Sequence, residues 1–155
     1  MKAKKIILLI VSIAICVLAG FIGSLFNTSI KTWYATLNKP FFNPPNWLFA
    51  PVWTALFVLM GISLYLVWTS KKKTGTAFYL FSAQFVLNIL WSFFFFYLQN
   101  PLYGFIEIII LWIFILLTIL EFKKISKTAA YLMIPYICWV SFAAILNFSL
   151  MVLNW

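Results

Sequence analysis

Apolar residues in this chain fall into five long blocks. They cover 6–26, 47–68, 77–98, 102–122 and 129–153, each close to the roughly 20 helical residues that cross a hydrocarbon core of about 30 Å. Polar punctuation separates the later blocks: Lys71-Lys72-Lys73-Thr74-Gly75, then Gln99-Asn100-Pro101, then Lys123-Lys124 through Lys127. Pro101 suits a tight turn that opens a helix at its first position. Backbone groups in lipid need internal partners, so each block predicts a helix. Runs such as Phe93-Phe94-Phe95-Phe96 and Ile108-Ile109-Ile110-Leu111 lack the two-residue alternation of a membrane barrel strand. The predicted fold class is an all-α integral membrane protein, a bundle of five transmembrane helices forming a single domain over 1–155. The first block also resembles a signal peptide, with Val17-Leu18-Ala19 a passable cleavage site, but its apolar run through Phe26 exceeds an ordinary leader core.

Polar residues within the blocks recur at helical spacing. Gln84, Asn88 and Ser92 share one face of the third span with Trp91 and Phe95 beside them, and Tyr136, Trp139, Ala143, Leu146 and Asn147 share one face of the fifth. The second offers Trp47, Pro51, Thr54, Val58, Gly61, Tyr65 and Trp68. A single stripe of this kind reads first as helix packing. Several stripes that mix amides and indoles on different helices fit a central pocket. Pro135 predicts a bend early in the fifth span. Gly20 and Ser24 form a small-xxx-small pair that suits either a homodimer seam or a contact inside the bundle. Glu107 lies within the fourth span, where a carboxylate is costly and a functional role is the default hypothesis. Glu121, beside Lys123 and Lys124, reads as a solvated ion pair.

Segment 27–46 is unlike a generic loop. It carries Trp33-Tyr34, Lys39-Pro40 and Asn43-Pro44-Pro45-Asn46, and it runs into Trp47 and Pro51-Val52-Trp53. Three prolines stiffen it at little entropic cost. A shaped aromatic loop at a membrane surface is a candidate lid over a ligand pocket; the same composition suits an interfacial anchor.

Composition confirms the class and adds topology. The chain is 66% hydrophobic and 8% charged, against about a quarter charged in soluble domains. The net charge of +9 comes from lysines scattered between apolar blocks, with no arginine, which excludes a nucleic-acid-binding face. With five spans, one side carries Lys2, Lys4, Lys5, Lys71, Lys72, Lys73, Lys123, Lys124 and Lys127, and the other carries Lys31 and Lys39. That bias predicts a cytoplasmic N-terminus, an outward C-terminus and an outward 27–46 loop. Cys16 and Cys138 read as small apolar residues. Histidine is absent, so no metal site, no imidazole base and no histidine haem ligand is expected.

The ordered motifs resemble one known family, the translocator proteins, called tryptophan-rich sensory proteins in bacteria and once the peripheral-type benzodiazepine receptors. The resemblance rests on Trp33-Tyr34, Lys39-Pro40, Pro44-Pro45 and Pro51-Val52-Trp53. It continues through Met60-Gly61 with Tyr65-Leu66-Val67-Trp68, then Gln84, Leu87-Asn88 and Trp91-Ser92. Pro135-Tyr136, Trp139, Phe142-Ala143 and Leu146-Asn147 complete it. It covers nearly the whole chain and implies a five-helix bundle, often a homodimer, in the bacterial cytoplasmic membrane, with a pocket capped by the first loop.

By matching position it implies Trp53, Asn88, Trp139, Ala143 and Asn147 as pocket residues. Trp33, Pro44, Pro45, Gln84, Trp91, Tyr136 and Leu146 join them as candidates from the lid and the stripes. The implied ligands are porphyrins such as protoporphyrin IX and haem, and other hydrophobic small molecules, with no required cofactor. The leading expectation is a receptor or carrier linked to tetrapyrrole or stress sensing. In it, Trp53, Trp91 and Trp139 present faces and N–H groups, Asn88 and Asn147 orient polar edges, and Lys31 and Lys39 meet propionates. The alternatives are light-dependent porphyrin degradation through Trp53 and Trp139, or passive transport of lipid or sterol. Phe148 and Val152 stand where sterol-binding members carry Tyr and Arg, which argues against sterol binding through that motif.

Overall fold

The computed structural model describes residues 2–155. Its helices are α1 (Lys2–Ser24), the single turn α2 (Trp33–Thr36), α3 (Asn46–Trp68), α4 (Gly75–Ser92), α5 (Pro101–Ile125), α6 (Lys127–Leu132) and α7 (Ile134–Leu153). Five spans long and apolar enough to cross a bilayer result, with α4 extended to Tyr97 and α6–α7 counted together. The predicted blocks and these spans agree to within a few residues. This is an all-helical membrane bundle.

Local signals explain the ends. Asn100 caps α5 by accepting the Tyr103 N–H at 3.1 Å, and Pro101 opens the helix as predicted. Ser126 caps α6 by accepting from the Ala129 N–H. The four phenylalanines after Ser92 do not continue α4 regularly. Residues Phe93–Tyr97 form a π-helical turn, closed by the Leu98 N–H on the Phe93 carbonyl at 2.9 Å. Gln99 then takes a positive φ of 51° to reverse the chain. The fifth span breaks at Met133, and Pro135 follows in the first turn of α7, as a proline without an N–H requires.

The spans close into a ring in the order α1, α3, α6–α7, α5, α4 and back to α1. Side-chain bonds identify which loops share an end. Lys72 Nζ donates to the Lys124 carbonyl at 2.6 Å, joining the loops after α3 and α5. At the other end the Asn154 amide pairs with the backbone of Asn38. One end of the bundle is therefore lysine-rich and the other carries the 27–46 loop. Ile6, Ile7, Ile10, Leu18, Ile110 and Ile113 face outward, the arrangement expected of a lipid-facing surface.

Lipid is as apolar as leucine, so burial alone does not draw these helices together; close packing and hydrogen bonds do. Ser63 Oγ donates to the Ala129 carbonyl at 2.8 Å, tying α3 to α6. Trp112 Nε1 donates to Ser141 Oγ at 2.8 Å, tying α5 to α7. Between α1 and α3, Gly61 lets the helices meet almost backbone to backbone, and Gly20 lies against the Phe57 ring. Gly20 thus serves the contact inside the bundle.

Two outcomes follow. A methyl group at Gly61 would lie 2.5 Å from Ile13 Cα, backbone that cannot yield. Gly61→Ala should cost about 1–3 kcal/mol and lower the melting temperature in detergent, while Gly75→Ala, which meets open space, should leave it unchanged. Glu107 is buried with neither carboxyl oxygen partnered among the described residues. Glu107→Leu should raise thermal stability by about 1 kcal/mol or more by removing that desolvation; a lower melting temperature would show that Glu107 holds a compensating partner.

Candidate ligand-binding site

A cavity of about 440 Å³ opens among α1, α3, α4 and α7 beneath the 27–46 loop. That volume lies within the range of small-molecule pockets. Helix α3 supplies Asn46, Phe49, Ala50, Trp53, Thr54 and Phe57; α4 and its π turn supply Asn88, Trp91, Ser92, Phe95 and Phe96. Ala143, Leu146, Asn147 and Leu150 come from α7. The wall nearest α1 is formed by Val17, Gly20, Phe21, Gly23 and Ser24, with Asn27, Ile30 and Tyr34 toward the roof. Trp53 stacks on Phe57 at 5.7 Å between ring centres, and Trp91 stacks on Phe95 at 5.5 Å. The walls are therefore aromatic faces with a few polar atoms between them.

Beneath Asn88 lies a fully buried hydrogen-bonded relay. Asn88 Nδ2 donates to the Tyr136 hydroxyl at 3.0 Å, and that hydroxyl donates to Gln84 Oε1 at 3.0 Å. Gln84 and Tyr136 have no exposed surface. They form the floor and fix the Asn88 rotamer, leaving Asn88 Oδ1 as an acceptor on the cavity wall. Asn147 behaves differently. Its Oδ1 accepts from Trp91 Nε1 at 3.2 Å and its Nδ2 donates to the Pro101 carbonyl at 2.8 Å. Both heavy atoms of that amide are occupied in joining α7 to α4 and α5, and the Trp91 N–H is occupied with it. The single Trp91 N–H is thus spent within the protein, while Asn147, which lines the cavity, uses one amide hydrogen and one oxygen lone pair there and keeps one of each.

The roof is built around Tyr34. Its ring packs edge-on against Phe95 and Phe96, its hydroxyl donates to Asn43 Oδ1 at 2.8 Å, and Lys39 Nζ lies 5.0 Å from its centre. Burial pushes the Tyr34 phenol above its ordinary pKa, so the proton that makes this bond is kept below about pH 10 and lost as pH rises through the raised value. Ser29 Oγ donates to the Phe96 carbonyl at 2.6 Å, and Asn154 clasps Asn38 through the Asn38 N–H at 2.8 Å and the Asn38 carbonyl at 2.9 Å. Pro44 is buried, and Pro45 sets the extended backbone before α3. Segment 27–46 is thus a structured cover pinned at both sides.

Six of the twelve sequence-derived candidates line the cavity: Trp53, Asn88, Trp91, Ala143, Leu146 and Asn147. Gln84 and Tyr136 lie under it. Trp33 packs edge-on against Phe95 and does not line the space, and Pro44 and Pro45 shape the cover without lining it. Trp139 is taken up between Phe49 at 6.1 Å and Phe142 at 5.5 Å, and its buried Nε1 has no partner among the described residues. Lys39 donates to the carbonyls of Ala35 and Leu37, and neither Lys39 nor Lys31 lines the cavity. The α1 wall, Asn27, Tyr34 and Phe49 were not anticipated as site residues. Asn27 Oδ1 is buried without a partner, and the one signal for it was its place immediately beyond the first span.

The profile of the TspO/MBR family matches residues 12–153. The chain belongs to that family. It is 47% identical over 156 residues to the tryptophan-rich protein TspO of Chlorobaculum tepidum, covering 97% of this chain and 98% of that relative. A protein of the same name from Archaeoglobus fulgidus is 46% identical over 155 residues, covering 97% and 99%. The translocator protein of Homo sapiens is 32% identical over 136 residues, covering 84% of this chain and 80% of the human protein. This TspO/MBR member is accordingly a multi-pass membrane protein whose cavity is enclosed by four of its five spans.

The two asparagines separate by experiment. Asn147→Leu should cost about 1–3 kcal/mol in stability, since it leaves Trp91 Nε1 unpaired and removes the link from α7 to the Pro101 carbonyl; a melting curve reads it. Asn154→Ala should leave the bundle folded while loosening the cover, seen as faster amide hydrogen exchange across residues 27–46. Unchanged exchange would show that the Asn38–Asn154 clasp does not hold the cover.

Proposed function

We propose that this protein is a membrane receptor or carrier that binds a porphyrin-type macrocycle in the covered cavity. The observation that carries the reading is the pairing of two broad aromatic surfaces, Trp53–Phe57 and Trp91–Phe95, in one space with the Asn88 amide between floor and wall. A flat conjugated ring gains most from such stacking faces. Asn88 Oδ1 is an acceptor suited to ring N–H groups.

Peripheral carboxylates find no lysine on the cavity wall. They suit the mouth, where α3 begins with Asn46, with no acidic residue in its first turn and no side-chain cap; first-turn N–H groups favour negative charge. The absence of histidine favours the free porphyrin over an imidazole-ligated haem. The lysine bias supports a cytoplasmic lysine-rich end, with the covered cavity toward the outside of a bacterial cytoplasmic membrane. Sensing or transport then begins from that side.

The test is titration of detergent-purified protein with protoporphyrin IX, read by tryptophan quenching. Saturable binding is expected, weakened in Asn88→Leu and Trp53→Ala at unchanged fold. Non-saturable partitioning, equal in wild type and both variants, would refute the reading. Illumination of the bound complex tests the degradative alternative. Bleaching that is lost in Trp53→Phe would favour it, and stable porphyrin absorbance would leave binding as the activity.

A further inference from the structure

A second groove, separate from the covered cavity, lies on the outer surface near the lysine-rich end. Its walls are Ile15 of α1, Leu64 and Trp68 of α3, and Phe78, Ser82 and Phe85 of α4. Ile15 and Trp68 are exposed, so the groove opens toward lipid rather than into the bundle. Trp68 meets Phe78 edge-on at 6.4 Å, making a firm upper rim. From Phe78 to Phe85 the wall descends about 10 Å at the helical rise, enough for the upper half of an acyl chain.

The segment that joins the two rim residues is the loop after α3, and it carries Lys71, Lys72 and Lys73. Lys72 is held on the Lys124 carbonyl, which fixes the loop over this end of the bundle. Lys71 and Lys73 are exposed. Ser82 adds a hydroxyl inside the slot, one turn below Phe78. An apolar slot therefore lies directly beneath a cationic loop, in the order of an acyl chain and a phosphate.

We infer that this groove is a site for one anionic glycerophospholipid, with an acyl chain between α1, α3 and α4 and its phosphate against Lys71 and Lys73. The occupant is committed by charge complementarity: the loop above the rim is cationic, and among the described residues the sole side-chain carboxylates are Glu107 within a span and Glu121, which pairs with Lys124. The site is independent of the porphyrin reading, since it shares no lining residue with the covered cavity.

Native mass spectrometry of protein equilibrated in mixed micelles of palmitoyl-oleoyl phosphatidylglycerol and phosphatidylcholine tests it. One phosphatidylglycerol should be retained in preference to phosphatidylcholine. The preference should fall about fivefold for each of Lys71→Gln and Lys73→Gln, while Lys4→Gln with Lys5→Gln should leave it in place. Ser82→Phe, which fills the groove, should remove the retained lipid altogether with the lysines intact. Circular dichroism confirms that each variant is folded. Equal retention of both lipids, equal effects of the two lysine pairs, or phosphatidylglycerol still held by Ser82→Phe would each overturn the proposal.

Discussion

A single amide, that of Asn147, joins three of the five spans. Its carbonyl takes the Trp91 N–H and its amino group reaches the Pro101 carbonyl at the start of α5. In a medium that offers no water, the Trp91 N–H and the Asn147 amide would otherwise be stranded, and no hydrophobic force would return the helices to register. Gly104 makes room for the junction, since a side chain there would meet Asn147 Oδ1 and the Phe95 ring. The Trp91–Phe95 stack that forms one wall of the cavity is therefore positioned by a bond whose purpose is to hold helices together. The Gln84–Tyr136–Asn88 relay does the same one level down. Packing and site are one network here, and the two readings of a polar stripe are not exclusive.

The cover depends on that network in turn. Tyr34 seals the roof by resting on Phe95 and Phe96, at the π turn that ends α4. The wider π turn and the positive φ at Gln99 end the span where Ser29 can reach the Phe96 carbonyl. Asn154 fastens the opposite side of the loop to the end of α7. Prolines keep the segment short of alternatives, so little order remains to be gained when a ligand arrives. The loop is pinned at two helix ends by side-chain bonds alone.

Much of the fold was legible in advance. The five spans, the helix start at Pro101, the break near Pro135 and the lysine-rich end all follow from hydropathy, proline chemistry and charge placement. Half of the candidate cavity residues were legible as well, because amides and indoles at helical spacing mark interior faces. The others lie off the cavity for a common reason. Periodicity places Trp139 on an interior stripe and the family resemblance points to Trp53, yet Trp53 meets open space and Trp139 packs between Phe49 and Phe142. Asn88 and Asn147 look alike in sequence, yet Asn88 keeps its oxygen unpaired while both heavy atoms of the Asn147 amide already hold protein partners.

The sequence by itself determined the class, the number of spans and the ends that share a side. The bilayer imposes its thickness and its intolerance of bare backbone on each segment separately, and such one-dimensional constraints are written residue by residue. Only the tertiary structure decided which interior face surrounds a cavity, which polar atoms are spent on neighbouring helices, and that α1 and Asn27 complete the wall. Those outcomes depend on the rotation and crossing of every helix against the others. Glycine contacts such as Gly61 on Ile13 set them jointly, and no single segment carries that information.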